Sequence, residues 1–439
     1  MANTRATRCT FIPPWLAERV GGPGQVLLDE ALRAGRDLAG GPAAAPPILA
    51  EGAAWTVHDA GSRTDLPGEP ARSAGEPATG DTAVDEAANG IEATLAMWLD
   101  ELDRRSYDGA GAPVSLTVHY GSAYNNAFWD GTQLVFGDGD GEVFERFTKP
   151  IDVLAHEFGH GVVEHTCRLR YRDQSGALNE SVADAFAACL KQRVLGQQAA
   201  DGDWLIGEGI FTPSVQARAL RDMAAPGTAY DDPDLGKDPQ VGHLDDFVVT
   251  TDDNGGVHLN SGIPNRAFQL AAVAIGGTAI GGAGRIWYDA LVGGDVPEDS
   301  DFATFAAATV AAAGPHADLV RDAWAQVGVE PAGAVGIPAT PAPQRGAGGT
   351  LRVERSGGFA GRTETAEVDL DDADEPGLRD LVADAGIATE GLADADPVTK
   401  PDMFLYSFTL GERTVRVPEH RLTASQAELA RRVLRRNQV

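Results

Sequence analysis

The sequence predicts an α+β protein: a strand-rich lobe, a helical lobe and, beyond a linker, a separate small α+β domain. Three patterns predict it. Between Ala53 and Pro150, short runs alternate apolar and polar residues around turn signals, the period of half-buried strands. After Pro150 come two helix patterns, to about His165 and from about Asn179 to Gly196, and residues 260–330 read as a helical lobe rich in Ala and Gly. Residues 331–349 form a Pro/Ala/Gly stretch, after which 350–439 begins a second succession of strand and helix patterns.

Residues 1–52 stand apart from the rest of the chain. Phe11-Ile12-Pro13-Pro14-Trp15-Leu16 is apolar and stiffened by proline, and a short helical pattern runs from Val26 to Leu38. Gly40 to Pro47 reads as a flexible, cleavable junction. Two readings stay open on pattern alone: a pro-segment removed on maturation, or an arm packed on the next domain. In that domain, Asp85 to Arg105 carries Ile91, Leu95, Met97, Trp98 and Leu102 at helical spacing. Val114 to Tyr120 alternates as a strand, and Asp130-Gly131 marks a hairpin whose returning strand is Gln133 to Phe136. An edge strand there can accept an extended peptide.

Pro150 is expected at the first position of a helix reaching about His165, where its missing N–H has no partner to lose. A second helix is expected from about Asn179 to Gly196, loops over 197–250, and helices over 260–330. In the last domain Leu351 to Arg355 and Thr365 to Leu370 read as strands and Gly377 to Ala385 as a helix. Met403 to Val417 reads as a hairpin around Gly411-Glu412, and Ala424 to Arg436 as a closing helix.

The chemistry concentrates in the two helices of residues 150–196. In His156-Glu157-Phe158-Gly159-His160 the histidines are four apart, so they share a helix face and can aim both imidazoles at one metal ion. Glu157 can reach a water at that ion as a general base. Glu180, on the next helix, is the candidate third ligand. Asp184, one turn further, can hold a ligating imidazole through its other nitrogen. Three protein ligands with an open position describe a catalytic zinc site, not a structural one. No histidine stands six residues after His160, so the metzincin pattern is absent. The bland alternative is a solvated His-Glu-His face of an amphipathic helix, and the matching acidic pair on the following helix weighs against it.

Charge and cysteine usage exclude other classes. The 439 residues carry 65 acidic and 35 basic side chains, a net charge of −30. Such a surface repels nucleic acid and anionic membrane, so neither is expected as a partner. No apolar run of membrane-spanning length occurs. The first twenty residues have basic groups but no apolar core behind them, so a cytoplasmic location is expected, with non-classical export left open. Cys9, Cys167 and Cys189 are too few to form a disulfide framework.

From Ala53 to about Val329 the sequence resembles the thermolysin-like zinc metallopeptidases, and among them the protealysin group. The resemblance rests on NNAFWDG (Asn125 to Gly131), GDGDG (Gly137 to Gly141), IDVLAHEFGH (Ile151 to His160) and SGALNESVADAF (Ser175 to Phe186). It continues through IGEGIFTP (Ile206 to Pro213), ALRDM (Ala219 to Met223) and DNGGVHLNSGIPN (Asp253 to Asn265). It implies a two-lobe fold with one catalytic Zn2+ in the cleft, ligated by His156, His160 and Glu180, with Glu157 as catalytic carboxylate. His258 and Tyr171 would face the oxyanion, and Asp253 would orient His258. Asn126 and the Ala127 backbone would hold the substrate chain, and Arg221 a substrate carbonyl. Val153, Ile210 and Leu220 would line an apolar pocket for the residue after the scissile bond.

The chain departs from the family at its calcium sites. Asp152, Asp203 and Glu208 keep three acidic positions of the double site, but Lys191 and Leu205 fill the other two, and Arg218 stands in a second calcium loop. An ammonium among carboxylates can replace a cation that needs a dense oxygen shell, so little or no Ca2+ is expected. Cys9 to Leu16 resembles the short protealysin-type propeptide, with the further idea that the Cys9 thiolate caps the zinc. Leu351 to Gly361 resembles emfourin, a protein inhibitor of such peptidases, and Arg431, Arg432, Arg435 and Arg436 give that domain a basic end.

The expected organisation is therefore a propeptide (1–52), a metallopeptidase domain (53–330), a linker (331–349) and an emfourin-like domain (350–439). The expected activity is neutral endopeptidase action on peptides and proteins, N-terminal to bulky apolar residues. Two alternatives remain at this level: a latent peptidase acting mainly as an inhibitor or binding module, and a structural protein with a vestigial zinc site.

Overall fold

The computed structural model describes residues 10–20, 54–333, 350–357, 362–369, 382, 404–410, 413–418, 422 and 424–435. Cys9, the helix expected from Val26 to Leu38, the junction from Gly40 to Pro47 and most of the helix expected from Gly377 to Ala385 lie outside the described residues. The chain forms two compact units, Met1–Ala334 and Val335–Val439.

In the first unit a five-stranded sheet has the order β2-β1-β3-β5-β4. Its strands are β1 (Trp55–Asp59), β2 (Glu69–Ser73), β3 (Val114–Val118), β4 (Ala127–Trp129) and β5 (Gln133–Phe136). β1 and β5 flank β3 in parallel, while β4 runs antiparallel to β5, joined to it through the Asp130-Gly131 turn, and forms the sheet edge. β3, β4 and β5 are buried along their whole length. A first helix, α1, covers residues 14–20. α2 (Thr82–Leu102) starts at Asp81, whose carboxylate accepts the Val84 N–H and satisfies one of the helix's orphan donors. Its Trp98 packs on Phe158 and Phe186, ring centroids 6.1 and 4.4 Å away.

Those two rings belong to α3 (Ile151–Glu164) and α4 (Asp173–Leu195), the pair that carries the metal-ligand candidates. Gly159 lets them touch: a Cβ there would lie 2.9 Å from the Ala183 Cα. Pro150 is the cap residue just outside α3, one position earlier than expected, with extended φ/ψ. α4 begins six residues before the expected Asn179. Ser175 and Gly176 look like loop residues in sequence, yet the Ser175 hydroxyl bonds the Arg170 and Arg172 carbonyls within the first turn. Gly176 is small because Val257 and Tyr171 press on it; a Cβ would sit 2.4 Å from Val257 Cγ1. Packing from a distant segment has overridden local propensity there.

Two short ladders come next, β6 (Leu205–Ile206) with β7 (Arg221–Asp222) and β8 (Asp231–Asp232) with β9 (Gly236–Lys237). The helical lobe is α5 (Asp253–Asn260), α6 (Gly262–Ile275), α7 (Arg285–Val292), α8 (Phe302–Ala312) and α9 (Ala317–Gln326), with Trp287 and Trp324 stacked 6.0 Å apart. One continuous core joins both lobes and takes in Phe11, Ile12 and Leu16, all fully buried. Among the described residues no single helix is long and apolar enough to cross a membrane.

The second unit is a four-stranded antiparallel sheet, order β11-β10-β12-β13, with a helix over Ala424–Arg435. Its strands are β10 (Thr350–Gly357), β11 (Arg362–Asp369), β12 (Phe404–Leu410) and β13 (Arg413–Pro418). Leu351, Val353, Phe408, Leu429 and Val433 form its core.

Candidate active site

Helix periodicity puts His156 and His160 on the face of α3 turned to α4, where Glu180 sits opposite. The two Nε2 atoms are 3.0 Å apart, His156 Nε2 lies 3.5 Å from Glu180 Oε2, and His160 Nε2 lies 3.6 Å from Glu180 Oε1. Donors about 2.0–2.2 Å from one ion can be separated by at most roughly 4.4 Å, so a single ion can reach all three. All three side chains are buried.

The protonation states suit ligation. Burial, then the neighbouring His156, lowers the His160 imidazole to about 4, so it is neutral at physiological pH. Burial opposes the charge on Glu180, but His258, His160, His156 and Arg221 together hold its carboxyl down to about 2. Each imidazole is aimed by its other nitrogen: His156 Nδ1 lies 2.8 Å from Asp184 Oδ1, and His160 Nδ1 lies 2.8 Å from Asn179 Oδ1. Such partners fix ring orientation and raise ligand basicity.

Glu157 points into the same chamber. Its Oε2 accepts the Trp129 backbone N–H at 2.8 Å, while Oε1 is buried and has no hydrogen-bond partner among the described residues. Burial and the nearby Glu180 push its carboxyl well above the ordinary glutamate range. A buried carboxylate oxygen without a partner costs free energy unless a proton, water or ion meets it. Two imidazoles, one carboxylate and this unsatisfied oxygen are the donor set that a catalytic zinc with its water requires, and the residues fit the ion.

His258 closes the far side. The backbone passes through positive φ at Asn254, Gly255 and Gly256 before the helix resumes, which turns His258 back toward Glu180. Its Nδ1 lies 2.6 Å from Asp253 Oδ1, and its backbone N–H donates to Asp253 Oδ2 at 2.8 Å. Burial lowers the affinity of His258 for a proton, yet Asp253 and Glu180 outweigh that and raise it. The Tyr171 hydroxyl donates to Glu180 Oε1 at 2.5 Å and is 3.3 Å from His258 Nε2. Arg221, on β7, forks onto Asp184 with 2.8 and 2.7 Å bonds, and Asn265 adds a third donor at 2.8 Å.

The structure thus brings His156, Glu157, His160, Tyr171, Glu180, Asp184, Arg221, Asp253 and His258 into one chamber. Asn126 and Ala127 stand at its β4 edge, and Val153, Ile210 and Leu220 are buried in the same core. Sequence reasoning did not single out Asn179, Asn265 or the Trp129 N–H. Asn179 directly precedes Glu180, and a polar amide at an inward helix position was the available signal. For the other two only tertiary contact reveals the role.

Residues 10–12 lie in this chamber. Phe11 N–H donates to the Ala127 carbonyl at 3.0 Å, and Ile12 N–H to Asn126 Oδ1 at 2.8 Å. Arg221 Nη1 donates to the Phe11 carbonyl at 3.3 Å, and His258 Nε2 lies 3.0 Å from the Thr10 carbonyl oxygen. The Phe11 ring meets His156 edge-on at 5.1 Å, and the Arg221 guanidinium lies over it at 4.8 Å.

Away from the chamber, Lys191 Nζ lies 3.0 Å from Asp203 and 3.4 Å from Asp152, and donates to the Leu205 carbonyl. Arg218 Nη2 donates to Asp222 and to the carbonyl and hydroxyl oxygens of Thr228. His119 sits near the surface between Asp138 and Asp81.

Residues 56–164 match the family model for the thermolysin metallopeptidase catalytic domain and 167–329 that for its alpha-helical domain, while 353–434 match emfourin. An extracellular metalloprotease of Pectobacterium carotovorum subsp. carotovorum is 49% identical over 280 residues, 63% of this chain and 81% of that protein. Protease PrtS of Photorhabdus sp. (strain Az29) is 46% identical over 282 residues, 63% of this chain and 76% of that protein. The solved precursor of protealysin, a metalloproteinase from Serratia proteamaculans, superposes with a TM-score of 0.66 at 45% identity. That superposition covers 73% of this chain and 99% of that one. The chain is an enzyme with a two-lobed thermolysin-like fold and belongs to the thermolysin metallopeptidase family.

Proposed function

We propose that the chain is the precursor of a zinc endopeptidase that cuts N-terminal to bulky apolar residues and is held latent by residues 1–52. The observation that carries this reading is the seating of Phe11 and Ile12 on Ala127, Asn126 and Arg221, the groups suited to hold a substrate backbone. Burying Phe11, Ile12 and Leu16 contributes about 1.5–3 kcal/mol each, enough to keep the segment in place without a covalent tie.

His156, His160 and Glu180 would hold the zinc, which when bound polarises a carbonyl and lowers the pKa of a water. Glu157, through its open Oε1, takes the proton of the attacking water and returns it to the leaving nitrogen. His258 and Tyr171 donate to the oxygen that gains charge, a place where preorganised donors contribute about 3–4 kcal/mol each. Asp253 fixes the imidazole's direction, and Asp184 fixes His156 while being fixed itself by Arg221. Val153, Ile210 and Leu220 set the preference for the residue after the cut, and the fully buried Phe11 ring, whose edge lies with Leu220 against Gly207, supports an aromatic or Leu there.

Lys191 and Arg218 take the places of bound cations, so the enzyme needs no Ca2+. The emfourin-like domain supports a second regulatory element, acting on this chain or on another. It also keeps the reading of a latent peptidase that works as an inhibitor.

The test is to load the full chain with zinc and follow both its mass and its hydrolysis of peptides with Phe, Leu or Asp after the cut site. Activity that appears only once residues up to about 45–55 are lost, with Phe and Leu favoured over Asp, is expected. Full activity with residues 1–52 intact overturns latency. A chain ending at Glu330 that is faster than the full chain would assign inhibition to the last domain.

A further inference from the structure

The peptide group between Thr10 and Phe11 lies across the catalytic groups with both its ends held. Its carbonyl oxygen is 3.0 Å from His258 Nε2, an atom itself 3.3 Å from the Tyr171 hydroxyl and 3.6 Å from Glu180 Oε2. Its N–H donates to the Ala127 carbonyl on the edge strand β4. The next carbonyl is met by Arg221 and the next N–H by Asn126. The side chain after this bond is a phenylalanine with no exposed surface, set edge-on to the ligand candidate His156. A cleft plug needs apolar burial and backbone bonds. It does not need one peptide group to place its oxygen in the oxyanion corner and its nitrogen on the substrate strand. That register is the one a substrate takes at the moment of attack.

We infer that the Thr10–Phe11 bond is a substrate of the enzyme's own site, hydrolysed within the same molecule and before the propeptide is released. This rests on the reading of residues 10–20 as the occupant of the substrate cleft. Water adds across the C–N bond: its oxygen ends in the Thr10 carboxylate, and Phe11 leaves as an amine carrying the proton that Glu157 relays. No other reactant is needed. The products are the decapeptide Met1–Thr10 and a chain of Phe11–Val439. Residues 11–20 keep the Asn126 and Arg221 bonds and the buried Phe11 ring after the cut. The nicked chain therefore stays latent until a second cut lies downstream, and activation has two steps. Holding bond and catalytic groups in one molecule makes the first step unimolecular.

The experiment starts from metal-free full chain, adds zinc, and reads intact mass over time at two well-separated protein concentrations. Expected is a shift to the mass of Phe11–Val439 at a rate independent of concentration, absent in Glu157→Gln. Phe11→Asp, whose charge does not enter an apolar pocket, should slow this cut by about a hundredfold. Hydrogen exchange on the metal-free Glu157→Gln chain supplies a readout that needs no catalysis. The Phe11 and Ile12 amides should be protected there, and free exchange at both overturns the seating. An intact Thr10–Phe11 bond in a sample that, once residues 1–52 are removed by an added protease, cuts an external peptide overturns this inference alone. If that sample cuts neither, the peptidase reading falls with it. A rate proportional to concentration overturns cutting within the molecule.

Discussion

One turn of α3 separates Asp152 from His156, and the same α4 that brings Glu180 to His156 and His160 brings Lys191 to Asp152. At the Lys191 end, an ammonium of the chain's own lies 3.0 and 3.4 Å from two carboxylates and is also bonded to a main-chain carbonyl. At the other end His160 supplies a donor without charge beside His156, Asp184 is already matched by Arg221, and Glu157 keeps an unsatisfied oxygen. The first cluster already holds its own cation, although Asp152 Oδ1 is buried without a hydrogen-bond partner among the described residues. The second is completed only by an added cation and its water. A helix pair can hold a structural charge cluster and a reactive one side by side because each charge is balanced within a few ångströms, where the low-dielectric interior gives little screening.

The strongest way to break this contrast is Glu157→Gln. It keeps the three metal donors but removes the base, so peptide hydrolysis by the matured chain should fall by about 10²–10⁴-fold while zinc content by elemental analysis stays the same. A variant that keeps most of its rate would remove Glu157 from the mechanism.

Lys191→Met attacks the other end. Removing the ammonium leaves Asp152 buried beside Asp203 without its counter-charge, and urea unfolding should show a loss of about 3–5 kcal/mol. Calcium should stabilise Lys191→Asp in a thermal melt and leave the parent chain unchanged. A parent chain whose melting temperature rises with calcium would show that Lys191 does not replace a cation.

Asn179→Ala sharpens the second cluster. His160 loses the acceptor that aims its ring, so competition titration should show zinc bound about 10–100-fold more weakly, an order of magnitude typical of such partners, with the Lys191 cluster untouched.

The smallest effect belongs to His119, a partly exposed cation between carboxylates. Hydrogen bonding to Asp138 raises its pKa from 6.5 to about 9 despite some burial, and Asp81 adds to this. A raised folded-state pKa means that the stabilisation is fully present below pH 6.5 and is lost as the pH rises through about 9. The difference in stability between the parent chain and His119→Asn should follow that window and shrink in high salt. A difference that is flat between about pH 6 and 10 would rule the ion pairs out.

Much of the site was legible in the chain. The 3.6-residue period fixes that His156 and His160 share a face, and the ordered motifs carry Glu180, Asp184, Arg221, Asp253 and His258 with them. Strand alternation and the Asp130-Gly131 turn located β4 and β5 because those signals act between near neighbours. The start of α4 was not legible, since Ser175 and Gly176 take helical positions only because Tyr171 and Val257 press against them. Asn179, Asn265 and the Trp129 N–H acquire their partners through contacts that join separate elements, as does the Thr10–Phe11 peptide group, which lies more than two hundred residues from His258. The sequence alone determined which donors exist and which of them share a helix face, because those properties arise from local geometry. Tertiary structure alone decided which carboxylates are paired, which oxygen is left open and which bond of the chain lies against the catalytic groups, because each depends on burial that no local pattern encodes.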